Sequence, residues 1–246
     1  MRIALISTPR SGNNWTRRVL RDVLELEEIA VHNPRDLPDV LPKNIVLGLH
    51  WYREPNFHAW LRARDFRIIV LGRHPLDVLI SVLHFVRYEP LTARWLEGNA
   101  ELTPDLAGQP PLSEPFWRYA MSRGAENLLS VSYQWWHEPE AVRIHYEDLV
   151  HDPLARFGQL VKQLGGSTDQ LISALKASRL EVFQAMPNRH GWQGTPGLWQ
   201  RLLTPLFARR ISWRHSKVFE RLGYDVPFYF LSRRTALRNW ERLRTI

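Results

Sequence analysis

A short apolar run at residues 3–7 leads through a tight turn directly into a segment with helical periodicity. Apolar side chains recur at helical spacing in that segment, which predicts a helix with one buried face: Trp15, Val19, Leu20, Val23 and Leu24. Such a junction directs backbone N–H groups and the positive end of a helix dipole at one small volume. Because Arg10 adds positive charge there, the junction predicts a phosphate or sulfate site. An ordinary strand-to-helix turn with a surface arginine has the same local pattern.

Four apolar runs predict buried parallel strands, at residues 3–7, 44–49, 67–72 and 141–146. Helical patterns follow the first, third and fourth runs, which is the rhythm of repeated βα units. The sequence therefore predicts an α/β fold with a central parallel β-sheet flanked by helices, in a single domain. Two segments rich in proline and glycine are expected to form loops at the substrate or cofactor, at residues 89–115 and 187–199.

Composition limits the classes of function. The chain of 246 residues is 44% hydrophobic and contains eleven tryptophans, which favours a packed core. Cysteine is absent, which excludes disulfides, thiolate zinc sites and a cysteine nucleophile. No signal segment and no run of about 18 apolar residues is found, so we expect a cytoplasmic protein without a transmembrane segment. The formal charge of +8 suits an anionic ligand, but the dispersed arginines do not indicate a nucleic-acid partner.

Polar side chains follow the predicted strands at the points where the strands end. Residues 10–15 follow the first strand, His50 the second, Arg73 the third and Tyr146 the fourth, while Ser81 lies two turns into the helix after the third. Ligands bind at the carboxyl ends of strands in open parallel sheets. Together these residues predict a site for a doubly anionic nucleotide next to a histidine base. No cluster of metal ligands is found, and no metal is expected.

The motifs at these positions resemble those of the sulfotransferases that use 3′-phosphoadenosine 5′-phosphosulfate (PAPS). Residues 9–15, PRSGNNW, are similar to the 5′-phosphosulfate loop of that family, P-[KR]-S-G-[TN]-T-W, and residues 73–81, RHPLDVLIS, to its 3′-phosphate motif, R-x-P-x-D-x-x-x-S. Further likenesses are YEDL at 146–149 with DP at 152–153, FQAM at 183–186, GTPGLW at 194–199 and LGY at 222–224. The resemblance implies a fold like that of the P-loop nucleoside triphosphatases and transfer of a sulfuryl group from PAPS, with PAP as product.

The resemblance also implies roles for individual residues. His50 would be the general base that takes the proton of a hydroxyl or amine acceptor, and Arg10 would stabilise charge on the leaving phosphate. The 5′-phosphosulfate would be bound by the loop residues Arg10, Ser11, Gly12, Asn13 and Asn14. The remaining donor contacts would come from Trp15 and Tyr146 at the adenine and from Arg73 and Ser81 at the 3′-phosphate. The acceptor would be a small molecule with a phenol, sugar or lipid hydroxyl.

The chain departs from the family pattern at four positions, one of which is Val182, where a serine precedes the F-x-x-M segment in the family. Gly48 stands where a lysine is common, two residues before the histidine. Trp192 and Gln193 stand where an arginine and a lysine normally precede the glycine of the G-x-x-G-x-W loop. Arg189 lies three positions earlier than Trp192, and we expect it to contact the 3′-phosphate in their place.

Two other functions stay open on the sequence. A P-loop kinase or nucleoside triphosphatase would share the fold, although the chain lacks the G-x-x-x-x-G-K-[ST] pattern. A basic module that binds anions or nucleic acid without catalysis would share the net charge. The sequence assigns neither the acceptor, nor the oligomeric state, nor a role for the basic stretch at residues 233–246.

Overall fold

The computed structural model describes residues 1–244, and within them five parallel strands form one sheet in the order β2-β3-β1-β4-β5. The strands are β1 (Arg2–Ser7), β2 (Glu27–Val31), β3 (Ile45–Leu49), β4 (Phe66–Gly72) and β5 (Val142–His145). The helices are α1 (Asn13–Leu24), α2 (Pro55–Arg62), α3 (Pro75–Phe85), α4 (Glu114–Ala120), α5 (Arg123–Trp135), α6 (Tyr146–His151), α7 (Pro153–Gln163), α8 (Leu171–Ala177), α9 (Leu180–Gln184), α10 (Trp199–Leu202), α11 (Pro205–Arg214), α12 (Ser216–Leu222) and α13 (Arg233–Arg244). Short 3-10 turns occupy Pro34–Asp36, Pro90–Gly98 and Pro104–Leu106.

The chain divides into two compact units. The first comprises residues 1–73 and 131–194 and contains the whole sheet. The second comprises residues 74–130 and the chain from residue 195 onward, and it is helical. The expectation that residues 1–246 act as one functional domain stays a prediction.

The predicted α/β fold with a central parallel sheet is confirmed. All four predicted strands are present, each with ends within two residues of the predicted ends. The sequence missed β2, whose pattern includes the charged residues Glu27 and Glu28. This strand lies at the edge of the sheet and pairs only with β3. An edge strand pairs on one edge only, and β2 is partly exposed along its length, so it needs no continuous apolar run.

The central strand β1 shows why the apolar runs identified the inner strands. Ile3 and Leu5 point to one face of the sheet and join a core cluster with Val19 and Leu20 of α1. Ala4 and Ile6 point to the opposite face and are fully buried as well. Because both faces are covered at these inner positions, they favour apolar side chains.

The two irregular segments are present. Residues 89–113 contain only 3-10 turns, and α4 then begins at Glu114, inside the predicted loop 89–115. Residues 187–198 contain neither helix nor strand. Within the second unit, the buried carboxylate of Asp77 accepts hydrogen bonds from the backbone N–H groups of Gly197 (2.6 Å) and Trp199 (3.0 Å), which fixes the end of the second segment.

The basic stretch predicted at residues 233–246 forms α13 up to Arg244, and its last two residues lie outside the described part of the chain. Among residues 1–244, no helix combines the length and the apolar character needed to cross a membrane.

A buried serine ties the end of β1 to the rest of the first unit. The backbone N–H of Thr8 donates to Oγ of Ser132 at 2.7 Å, and this Oγ donates to the carbonyl of Leu71 at 2.8 Å. In return, the N–H of Ser132 donates to Oγ1 of Thr8 at 3.2 Å. These three bonds anchor the loop after β1 to β4, and so they set the position of the residues that follow.

We expect the change Ser132→Ala to lower the free energy of unfolding by about 1–3 kcal/mol, because it leaves the Thr8 N–H and the Leu71 carbonyl short of a buried partner. The control is Ser130→Ala, since Oγ of Ser130 donates to the carbonyl of Asn127 in its own helix and is partly exposed, and we expect it to stay within about 0.5 kcal/mol of wild type. Urea unfolding followed by tryptophan fluorescence measures both. Equal stabilities of the two variants would contradict the anchoring role.

Candidate active site

The loop between β1 and α1 has a backbone that only certain residues tolerate. Arg10 has φ 68° and Gly12 has φ 92°, and α1 begins directly afterwards at Asn13. A Cβ on Gly12 would lie 2.5 Å from the ring of Tyr146, so both the dihedral angle and the space require glycine here. The first N–H groups of α1 have no acceptor within the helix and carry its positive dipole end. The predicted anion-binding geometry is therefore present.

Arg10 and Arg73 lie side by side at this loop. Nη1 of Arg73 donates to the carbonyl of Arg10 at 2.8 Å, and its guanidinium lies 4.5 Å from the ring centroid of Tyr146. Oη of Tyr146 in turn donates to the carbonyl of Gly194 at 2.7 Å. Burial and the charge of Arg73 lower the pKa of Arg10 to about 9. Two positive charges are thus held together, and a doubly anionic ligand would relieve their repulsion.

Three buried side-chain donors at this junction have no hydrogen-bond partner among the described residues. They are Oγ of Ser11, Oγ1 of Thr16 and Nε of Arg73. Buried donors in native proteins nearly always have a partner, and phosphate oxygens would satisfy all three. The residues present therefore fit a phosphate-bearing ligand. In the same described range, no group of three histidine, aspartate or glutamate side chains is arranged to hold a metal ion.

His50 follows the end of β3 and is oriented by the backbone of β1. Its Nδ1 lies 2.8 Å from the carbonyl oxygen of Ser7. Because a carbonyl only accepts, Nδ1 carries the hydrogen and Nε2 is left with a lone pair. Burial, His32 stacked at 5.4 Å between ring centroids, and the charges of Arg17 and Arg10 lower the pKa of His50 to about 3. The imidazole is therefore neutral at pH 7, with a lone pair on Nε2.

A chain of hydrogen bonds behind His50 uses the side chain of Asn13. Its Nδ2 donates to the carbonyl of Leu5 and to Oγ of Ser7, both at 3.1 Å, and its Oδ1 accepts from Nη1 of Arg17 at 3.0 Å. Arg17 is held in turn by Glu28 on β2, with Nε 2.6 Å from Oε1. The side-chain amide of Asn13 is thus used within the protein, and its backbone N–H is the donor that can face a ligand.

Arg17 also explains why residue 48 is a glycine here, where the family commonly has a lysine. A Cβ on Gly48 would lie 2.5 Å from Nη1 of Arg17 and 2.8 Å from Oδ1 of Asn13. The guanidinium therefore fills the space in which any side chain at residue 48 would begin. Sequence reasoning missed Arg17, although its position four residues after Asn13, on the same helix face, was a usable signal.

His190 is a second residue that the sequence did not identify. Its carbonyl accepts from Nη2 of Arg10 at 2.7 Å. Burial and the charges of Arg10 and His50 lower the pKa of its imidazole to about 3. Its neighbour Arg189 is exposed and has φ 44°, and the expected contact of Arg189 with a 3′-phosphate stays a prediction. No periodic pattern in this irregular segment could have indicated His190.

The remaining predicted residues occupy varied positions. Trp15 is partly buried, with its ring edge-on to Phe157 at 5.1 Å and to Tyr146 at 6.2 Å. Oδ1 of Asn14 accepts from Nη2 of Arg17 at 3.3 Å. Ser81 is buried in α3, in the second unit, whereas Arg73 ends the first. The structure thus brings Arg10, Arg73 and Tyr146 together, and the predicted role of Ser81 stays a prediction.

The depressed pKa values of His50 and His190 predict an acid-sensitive fold. The folded state binds fewer protons than the unfolded state between about pH 3 and 6.5, because both pKa values are lowered from 6.5 to about 3. The free energy of unfolding therefore falls as the pH falls through this window. We expect a smaller fall in the double variant His50→Gln, His190→Gln, measured by urea unfolding at pH 6.5 and pH 4. Parallel pH profiles for the two proteins would contradict the assignment.

Comparisons with known proteins found a family and similar solved structures. A family model described as the sulfotransferase domain matches residues 1–191. The crystal structure of mouse sulfotransferase SULT7A1 complexed with PAP aligns with a TM-score of 0.65 at 16% identity, over 88% of this chain and 84% of that chain. Retinol dehydratase aligns with a TM-score of 0.58 at 15% identity in two crystal structures. One contains androsterone and inactive cofactor PAP and covers 93% of this chain and 83% of that one; the other contains retinol and PAP and covers 93% and 84%. No curated protein matches the chain significantly.

At these identities the solved structures establish the fold alone, and the fold is the P-loop-like α/β arrangement that the sequence predicted. The family model is the stronger finding, because it covers more than three quarters of the chain and includes the loop after β1, His50, Arg73 and Tyr146. The chain belongs to the sulfotransferase family.

Proposed function

We propose that this protein transfers a sulfuryl group from PAPS to a hydroxyl or amine of a small molecule and releases PAP. The observation that carries the proposal is the contact of the Arg73 guanidinium with the backbone carbonyl of Arg10, beside three buried donors without protein partners. A sulfonated nucleotide with phosphate groups supplies negative charge for both arginines and acceptor oxygens for these donors.

In this proposal the first unit binds the donor through the loop after β1. Arg10, Oγ of Ser11 and the first N–H groups of α1 bind the 5′-phosphosulfate, with Gly12 allowing close approach of the backbone. Arg73 binds a phosphate through its Nε. The adenine packs against aromatic side chains of the same unit, for which Trp15 and Tyr146 are the proposed residues.

His50 acts as the general base. When bound, the donor supplies a sulfuryl group, whose bond to the phosphate oxygen breaks as its bond to the acceptor oxygen forms. Nε2 of His50 takes the acceptor's proton, because Nδ1 is engaged with the carbonyl of Ser7. Arg10 is protonated at pH 7, since its pKa is about 9, and it stabilises the negative charge that develops on the leaving phosphate.

The acceptor in this proposal is a small molecule with a phenol, sugar or lipid hydroxyl. Retinol dehydratase has been crystallised with retinol and with androsterone, two lipid-like molecules. In this chain, Tyr52 and Trp60 are partly exposed just after His50, while Trp51 and Phe57 are buried in the core. Exposed aromatic side chains suit a phenol, a lipid or a sugar face. A cytoplasmic location stays part of this proposal, to be tested by cell fractionation.

We expect His50→Asn to reduce kcat by about 10²–10⁴-fold, because it removes the proton acceptor, while PAP binding is retained. The assay uses ³⁵S-labelled donor with a panel of phenol, sugar and lipid acceptors, and isothermal titration measures PAP affinity. His151→Asn is the matched control, since His151 is exposed on α6 of the same unit. Wild-type activity of His50→Asn would refute the assignment of the base.

Donor selectivity separates the proposal from a kinase or nucleoside triphosphatase. We expect PAP to raise the melting temperature more than ATP with magnesium. Arg73→Gln should weaken PAP binding by about 10–100-fold, the value of a charged hydrogen bond. Arg179→Gln, an exposed arginine of the first unit, should bind PAP like wild type. Stabilisation by ATP with magnesium alone would overturn the sulfotransferase reaction.

A further inference from the structure

The net positive charge of this protein is confined to its C-terminal fifth. Residues 201–246 contain eleven arginines and lysines and three acidic residues, an excess of eight. Residues 1–200 contain equal numbers of basic and acidic residues, so the formal charge of +8 arises entirely after residue 200. Arginines are spread along the whole chain, but acidic residues balance them only in the first part. This segment belongs to the second unit, whereas the proposed donor site lies in the first.

One face of α11 within this segment combines basic and apolar side chains that point to solvent. Leu206, Arg209, Arg210 and Trp213 are spaced three or four residues apart and share that face, whereas Ala208 and Ile211 face the core. Leu206 is 63% exposed and Trp213 is 80% exposed. Exposure of large apolar side chains to water is unfavourable, and a membrane or a partner that covers them lowers the free energy.

A second pair of exposed aromatic rings adjoins this face. Phe228 is 70% exposed and Phe230 is 87% exposed, and their rings contact each other edge-on at 4.7 Å. Tyr229 between them turns inward, where its Oη donates to the carbonyl of Leu203 at 2.8 Å. The guanidinium of Arg209 lies 5.9 Å from the ring centroid of Phe228, which joins the pair to α11. We call the six side chains of α11 and this pair the aromatic–basic face: Leu206, Arg209, Arg210, Trp213, Phe228 and Phe230.

We propose that the aromatic–basic face docks this protein reversibly on an anionic membrane surface. Tryptophan, phenylalanine and leucine insert at the boundary between headgroups and acyl chains, while arginines bind the phosphates of anionic lipids. A second copy of the same face is a poor occupant, because it would bring like charges together. The exposed apolar rings likewise distinguish this face from a purely electrostatic site for a nucleic-acid backbone. None of the six residues belongs to the proposed donor site.

The test is flotation of the full-length protein with lipid vesicles. We expect binding to vesicles of phosphatidylcholine with phosphatidylglycerol, weaker binding to phosphatidylcholine alone, and weakening at high salt. Two variants divide the face: the charge variant carries Arg209→Gln and Arg210→Gln, and the apolar variant carries Leu206→Ser, Trp213→Ser, Phe228→Ser and Phe230→Ser. Each should lower the affinity for anionic vesicles by about tenfold or more.

Controls of the same chemistry lie elsewhere on the surface. Lys162→Gln with Lys176→Gln is the charge control, and Val40→Ser, Leu154→Ser and Ile172→Ser form the apolar control, since all five residues are exposed in the first unit. Both controls should float like wild type, and an unchanged melting temperature shows that every variant is folded. The proposal is overturned if wild type does not float with anionic vesicles, or if the face variants float as well as wild type. It is also overturned if wild type is a dimer in sedimentation and the apolar variant is a monomer, since a second copy then covers the face.

Discussion

Two arginines held in one buried loop region, where their positive charges repel each other, are the feature on which the proposed site depends. Arg73 donates to the backbone of Arg10 and lies over the ring of Tyr146, while Arg10 adopts a positive φ that the loop imposes. Burial and mutual repulsion make this arrangement costly, as the lowered pKa of Arg10 shows. The packed sheet and α1 supply the free energy that keeps the two charges together, and a bound dianion lowers the cost.

The same positive field acts on the proposed base. His50 is surrounded by His32, Arg17 and Arg10, and together with burial they keep its imidazole neutral. The bond from Nδ1 to the carbonyl of Ser7 selects the tautomer whose Nε2 can accept a proton. In the proposed function, a bound dianion would offset the field of the arginines and raise the pKa of His50. Donor binding and proton acceptance would then be linked through one set of charges.

Most of the sheet could be predicted, because strands buried on both faces have continuous apolar runs, as Ile3 to Ile6 of β1 and Ile68 to Leu71 of β4 do. The edge strand β2 was not predicted, because Glu28 interrupts its apolar pattern. Glu28 instead accepts a hydrogen bond from Arg17. In the site, the loop after β1, Arg73 and Tyr146 followed from motif and strand ends. His190 and Arg17 did not, because their roles arise from contacts with residues that no local pattern connects to them.

The sequence alone determined the loop after β1, because a strand, a glycine turn and a helix start are neighbours in the chain and their N–H groups converge for local reasons. Only the tertiary structure decided which charged side chains meet. Arg17 pairs with Glu28 across two elements, whereas Arg73 bonds the backbone of Arg10, 63 residues away. Such pairings depend on distances through space, and spacing along the chain does not fix those distances.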